Sequence, residues 1–392
     1  MISEERVSEE VFEEPIVSLA KETVALEARR IASIAKSEKL REIRSKLESQ
    51  GLILEIPRKR PRKICSVALD TSFTDPPLEL TGGKLITVIR SHIFYGCKPR
   101  SNAKADNKGF LRFVQEYENI AGVYSKIIER KFIVKLLKDV KNGNEDIDII
   151  IIDGEIFPRV PPKIGSPRYR HTIMSRLYKE YLRLTEEMLK LADDTEVAIA
   201  GIIKRAYGVD IPVLLGIPWL SVNDKALATY ILNPGEWIDL KAYSEIAYFI
   251  EDLVKKHKDK LSKRTIRRLM EREKWIVAVL EYVDHSPDIE LAIYKSYTPA
   301  FFMLATKVEI WASQRMLKEH IISYLASITG INGVPHPIDL VDSMCRITPD
   351  LLQIFQQQLY KELMVRLKDQ KLAMSLAGLI NPEKMYRIGF KG

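Results

Sequence analysis

Residues 147–154 read Ile147-Asp148-Ile149-Ile150-Ile151-Ile152-Asp153-Gly154, with four consecutive isoleucines and no polar residue among them. Such a run suits a central strand covered on both faces, because a strand with one solvated face would alternate polar and apolar side chains. The strand ends on an acid, Asp153. Upstream, Ile64-Cys65-Ser66-Val67-Ala68-Leu69 reads as a second buried strand that ends on Asp70. Lys84 to Tyr95, after the Gly82-Gly83 turn, has the alternating, β-branched character of a strand or a bent strand pair. Antiparallel pairing with the Ile64 run is the economical expectation. A helical stretch is expected from about Gly109 to Asn142, another from Tyr169 to Leu191, and a further buried strand from Glu196 to Ile203, ending at Lys204-Arg205. Strands that alternate with helices in this way predict an α/β fold.

Outside this centre, residues 8–50 lack glycine and carry apolar residues at three- and four-residue spacing, an amphipathic helix broken near Pro15 and stopped by Gly51. Its apolar stripe must be buried, either on its own domain or in a contact with a second copy or another protein. Pro57-Arg58-Lys59-Arg60-Pro61-Arg62-Lys63 follows as a rigid basic connector that stays solvated or meets an anion. Farther on, Asp224 to Leu232 and Tyr243 to Leu261 read as helical, Trp275 to Tyr282 and Glu290 to Tyr297 as extended, and Gln314 to Thr329 and Leu351 to Ala377 as helical.

Hydrophobic residues make up 46% and charged residues 29% of the 392 positions, a folded-protein balance that excludes disorder as the main state. Lys and Arg exceed Asp and Glu by 61 to 53, a net +8 that favours a polyanionic partner. Cys65, Cys97 and Cys345 are far apart, so neither a disulfide framework nor a structural zinc site is expected, and a reducing compartment fits. The acidic amino terminus and the lack of any run near the ~18 apolar residues of a membrane span point to a soluble, intracellular, cytoplasmic protein without a membrane partner.

Two buried strands ending in aspartate can place Asp70 and Asp153 side by side at a sheet edge, where ligands bind in such folds. Carboxylates are hard ligands for Mg2+ or Mn2+, and two such ions ~3.5–4 Å apart promote phosphodiester hydrolysis. The plainer alternative is that both acids only end strands and begin turns. Glu129 lies on the intervening helix, flanked by apolar positions on one face. Glu155 would share the face of Asp153 on a continuing strand, unless Gly154 turns it away. Lys204 and Arg205, at a strand end beside the acids, are candidates to hold a phosphate, or else an exposed basic pair. Residues 255–274 hold ten Lys or Arg against three acids. Lys263, Arg264, Arg267 and Arg268 there could track a DNA backbone, or form a solvated helix face or a protein contact. The run has no aromatic residue for base stacking.

Val67-Ala68-Leu69-Asp70-Thr71-Ser72, Glu129, and Ile150-Ile151-Ile152-Asp153-Gly154-Glu155 resemble the NurA nucleases. So do Ala200-Gly201-Ile202-Ile203-Lys204-Arg205, Asn223-Asp224-Lys225-Ala226-Leu227 through Asn233-Pro234-Gly235-Glu236, and Gly333-Val334-Pro335-His336-Pro337-Ile338-Asp339-Leu340-Val341-Asp342. The resemblance implies a ribonuclease-H-like mixed sheet flanked by helices and Mn2+-dependent cleavage of DNA, with 5′ to 3′ exonuclease and single-strand endonuclease activity. It also implies a homodimer working with the hexameric HerA ATPase in DNA-end resection and repair. Carried over, Asp70, Glu129 and Asp153 match the metal-binding acids, and Asp342 falls where the family places a further acid or histidine, with His336 as its rival. The implied cofactor is Mn2+ or Mg2+, as two ions. The division expected is an amino-terminal helical region and connector (1–63), a NurA-like domain (64–347) with a helical basic insertion near 243–274, and a helical extension (348–392). Thr71 stands where the family's first motif has glycine, and a positive φ there would strain threonine. The alternative function is therefore an impaired relative that serves as a DNA- or ATPase-binding scaffold.

Overall fold

One ten-stranded mixed sheet carries the fold. The computed structural model describes residues 23–26, 28, 32, 37–58, 63–75, 77–81, 83–96, 105–114, 120–159, 172–204, 208–218, 220, 222–285, 289–297 and 303–378. The strands are β1 (Ile53–Glu55), β2 (Ser66–Phe73), β3 (Leu78–Leu80), β4 (Gly83–Tyr95), β5 (Ala105–Val114), β6 (Ile149–Asp153), β7 (Ala198–Ile203), β8 (Glu236–Ala242), β9 (Glu290–Tyr294) and β10 (Thr306–Trp311). The helices described are α1 (Ser37–Ser49), α2 (Ala121–Lys141), α3 (Ile173–Thr195), α4 (Asp210–Leu214), α5 (Asp224–Ile231), α6 (Tyr243–His257), α7 (Lys263–Leu280), α8 (Lys318–Ser327), α9 (His336–Met344), α10 (Pro349–Leu367) and α11 (Gln370–Ala377).

The strand order is β1-β8-β9-β10-β7-β6-β2-β4, and β4 also pairs β3 and β5. The stretch of β4 that meets β5 overlaps those that meet β2 and β3, so β5 takes the opposite edge. Only β2, β6 and β7 run parallel, and β6 lies between the other two. The isoleucine run does what its composition requires. Ile150 and Ile152 join the core that holds Ile127 and Leu137 of α2 and Leu182 and Met188 of α3. Ile149 and Ile151 join the opposite core with Ile321 and Leu325 of α8 and Ile338 and Val341 of α9. This is a mixed sheet flanked by helices, as expected.

The expected antiparallel pairing of β2 with β4 is present, and Gly51, at φ 67°, follows the end of α1. The α1 stripe is covered from within the chain. Ile43 and Leu47 are buried in the main core, and Arg44 donates to both carboxylate oxygens of Glu236 at 2.8 Å.

Several expectations are corrected. Gly109 begins no helix, because it lies inside β5, which pairs with β4 over ten residues, and the helix starts at Ala121. Residues 275–280 are the end of α7 rather than a strand, and Ile276 and Val279, three apart, turn to the core with Leu269. The stretch 351–377 is two helices separated at Lys368, whose φ of 52° is left-handed. Strands β8 and β10 were not anticipated, although every residue of β10 is buried. Cys65 is disulfide-bonded, contrary to the reading of the cysteines. Pro15, residues 59–62, Gly82, Cys97, Tyr169 and Arg205 lie outside the described residues. No described helix is long and apolar enough to cross a membrane.

Candidate active site

Parallel pairing sets Leu69 opposite Ile152, so Asp70 and Asp153 leave the paired region side by side. Asp70 does not end its strand. The parallel ladder stops at Leu69, while β2 continues along β4 to Phe73. Asp153 does end β6, and Gly154 follows at φ 123°. A Cβ on Gly154 would lie 2.9 Å from the flexible tip of Lys126, so it is the φ of the turn that calls for glycine.

Glu129 reaches the edge from α2 and is fully buried. Arg130 Nη1 donates to its Oε1 at 2.5 Å, and Lys126 Nζ donates to Oε1 and Oε2 at 3.3 and 3.1 Å. Lys126 is three residues before Glu129, on the same helix face. Arg130 Nη2 also donates to the carbonyl of Glu155 at 2.7 Å, tying α2 to the loop after β6. Thr71 donates its hydroxyl to Glu129 Oε2 at 3.4 Å. Its backbone is extended strand, and among the described residues the non-glycine positions with positive φ are Glu196, Lys241 and Lys368. Threonine therefore carries no strain at this position.

Asp342 comes from α9 and is exposed, while Cys345 caps that helix. One ligand atom each of Asp70, Asp342 and Cys345 lies within 4.8 Å of the others. Cys345 Sγ donates to Asp70 Oδ2 at 2.9 Å, and Thr71 N donates to Oδ1 at 2.7 Å. Lys204, just past β7, sets its ammonium 2.8 Å from Asp153 Oδ2 and 2.7 Å from Asp342 Oδ2. His336, the rival of Asp342, is exposed and meets Tyr95 edge-on. Tyr95 pairs with Ser66, four residues before Asp70, so His336 belongs to the far end of β2.

Crowded carboxylates make the site hungry for positive charge. Burial, then the charge of Asp70, pushes the Asp153 carboxyl up to about 7 against the pull of Lys204. Burial also raises Asp70, with Glu129 and Asp342 adding to it and the Cys345 hydrogen bond opposing it. Burial disfavours the Lys204 and Lys126 ammonium groups, but their acidic neighbours outweigh it and hold both above the usual lysine range. Glu155, past Gly154, lies 3.5 Å from Arg159. Burial works upward on its carboxyl, but Lys126 and Arg159 hold it below the ordinary value.

Four carboxylates offer the hard oxygen donors that suit Mn2+ or Mg2+. The Lys204 ammonium between Asp153 and Asp342 already stands where a cation belongs, so the residues fit the expected metal. Lys263, Arg264, Arg267 and Arg268 are exposed on α7, away from this cluster in sequence. Their helix is tied toward the site at its other end, where Trp275 Nε1 donates to the Pro158 carbonyl at 3.1 Å. Sequence reasoning missed Lys126, Arg130 and Cys345 as neighbours of the acids. Helical spacing from Glu129 and Asp342 was the available signal for Lys126 and Cys345.

A family model described as the NurA domain matches residues 30–347. The crystal structure of the NurA nuclease from Sulfolobus solfataricus is similar at a TM-score of 0.52 and 12% identity, covering 88% of this chain and 98% of that one. A crystal structure of NurA with manganese is similar at a TM-score of 0.50 and 12% identity, covering 90% and 99%. At this identity the likeness shows the fold. No curated protein matches the chain.

Proposed function

The chain belongs to the NurA family, and from that premise we propose a metal-dependent deoxyribonuclease that hydrolyses phosphodiester bonds at Asp70, Glu129, Asp153 and Asp342. The observation that carries this reading is the convergence of Asp70, Asp153 and Asp342 around one ammonium group and one thiol, with Glu129 held beside Thr71. These acids would hold Mn2+ or Mg2+, as two ions. When bound, the metal supplies polarisation of the phosphate and acidification of water. Arg130 and Lys126 fix the Glu129 carboxylate, and Lys204 balances charge among the acids and offers a phosphate contact. The structure with manganese among the similar folds supports the choice of ion.

The finer reading rests on family membership. It is 5′ to 3′ exonuclease and single-strand endonuclease activity in DNA-end resection, as a homodimer with a HerA-type hexameric ATPase. Lys263, Arg264, Arg267 and Arg268 are proposed to bind DNA, on the strength of their shared exposure on α7. Asp70→Asn and Asp153→Asn keep side-chain size and remove ligand charge, so each should abolish Mn2+-dependent cleavage of DNA in a folded protein. Cleavage equal to wild type in both variants removes these acids from the reaction. A folded wild type inactive with every divalent metal would favour the scaffold function instead.

A further inference from the structure

Lys225 is the second residue of α5, and its side chain is half-buried. Its ammonium donates to the backbone carbonyl of Lys204 at 3.0 Å. Lys204 lies two residues past Ile202, the residue paired with Asp153, so this carbonyl is at the exit of β7 beside the acids.

Among the described residues, the other buried cations of this part of the fold are each neutralised by carboxylate. Lys204 meets Asp153 and Asp342, and Lys126 meets Glu129. Lys307 meets Asp210 and Asp224 at 2.5 and 2.7 Å, and Arg272 meets Asp210 at 2.5 Å. Lys225 has no carboxylate within ion-pair distance among the described residues, and its one acceptor there is neutral. Its neighbour Asp224 cannot serve, because its Oδ1 accepts from Ile211 N at 2.9 Å and its Oδ2 from Lys307. Burial, then the charge of Lys204, holds the Lys225 ammonium below the usual lysine range. A partly desolvated cation beside another cation costs free energy unless an anion completes it. The backbone that presents it is fixed from both sides. Asn223 Oδ1 caps α5 by accepting from Ala226 N at 2.8 Å, and Asp224 anchors the same turn in the buried Lys307 network.

We infer that Lys225 is a phosphate-contact residue, which receives a non-bridging oxygen of the DNA backbone next to the bond held at the acids. This rests on the nuclease reading for the identity of the anion. It adds a second phosphate contact to that of Lys204, whose ammonium also balances the acids.

The test compares full-length wild type, Lys225→Ala and Lys225→Arg for binding of a fluorescent single-stranded oligonucleotide at several salt concentrations without divalent metal. Mn2+ affinity by calorimetry and steady-state cleavage are measured in parallel. Lys225→Ala should bind more weakly, with a log K against log salt slope shallower by about 0.7, the share of one contact on a single strand. Its KM should rise while kcat and Mn2+ affinity hold, and Lys225→Arg should restore the slope. An unchanged slope in Lys225→Ala overturns the inference, as does loss of Mn2+ affinity, which would mark a structural role. The nuclease reading fails separately, if wild type binds DNA and Mn2+ but does not cut.

Discussion

Cys345 and Asp70, 275 residues apart in the chain, are joined by a hydrogen bond from the thiol to a carboxylate oxygen at 2.9 Å. The bond closes the carboxy-terminal end of α9 onto the middle of β2. It places Asp342, one helical turn earlier, over the same edge. Burial, then the charge of Asp70, pushes the Cys345 thiol well above its ordinary range, so it stays a proton donor to the acid.

Removing this donor should be felt in stability. Cys345→Ala leaves Asp70 Oδ2 buried without its partner, and a loss of about 1–3 kcal/mol is expected in urea unfolding. Cys345→Ser keeps a donor and should recover most of the loss. An alanine variant with an unchanged midpoint would show that the bond contributes nothing.

The Asp153 carboxyl gives a pH signature in the metal-free protein. Its pKa rises from 3.8 unfolded to about 7 folded, so the folded state binds the proton more tightly. Stability from this group is therefore greatest at low pH and falls as pH rises from about 4 to about 7. The stability difference between wild type and Asp153→Asn cancels most other titrations, and it should shift against wild type over that window. A flat difference from pH 4 to 8 would remove the raised pKa.

Glu309, buried on β10, accepts from Ile156 N at 2.6 Å, Phe157 N at 2.7 Å and Tyr243 OH at 2.5 Å. It thereby pins the loop whose carbonyls receive Arg130, and burial raises its carboxyl to about 7. Glu309→Leu strands three donors and should destabilise by about 3 kcal/mol or more, whereas Glu309→Gln keeps an acceptor and should cost less. Equal melting of both variants would show that the loop does not depend on this acceptor.

The exposed face of α7 is tested by charge reversal. Replacing Lys263, Arg264, Arg267 and Arg268 with glutamate should weaken DNA binding and flatten its salt dependence, because fewer counterions are released. Circular dichroism should stay unchanged, since these side chains are exposed and the nearest ion pair, Arg267 with Glu271, is a 3.8 Å surface contact. Unaltered isotherms would assign the face to solvent or a protein.

The sequence by itself determined the centre of the sheet. The isoleucines 149–152 and the run 66–69 are buried on both faces, and the four isoleucines, apolar and β-branched without interruption, have no other stable place. It also determined which acids leave that centre, because Asp70 and Asp153 directly follow those runs. Period failed where the deciding partner was distant. Residues 105–114 take strand geometry from the edge of β4, and Trp275 to Leu280 belong to α7, whose buried face spans Leu269, Ile276 and Val279. Only the tertiary structure showed which of Asp342 and His336 lies beside Asp70. Six residues apart on one helix, at about 100° each, they point to different sides, and the packing of α9 chooses the side that faces Asp70. The same holds for the cations. That Lys204 meets two acids while Lys225 meets none among the described residues depends on contacts 138 and 21 residues apart in the chain, and no local pattern of near neighbours encodes such distances.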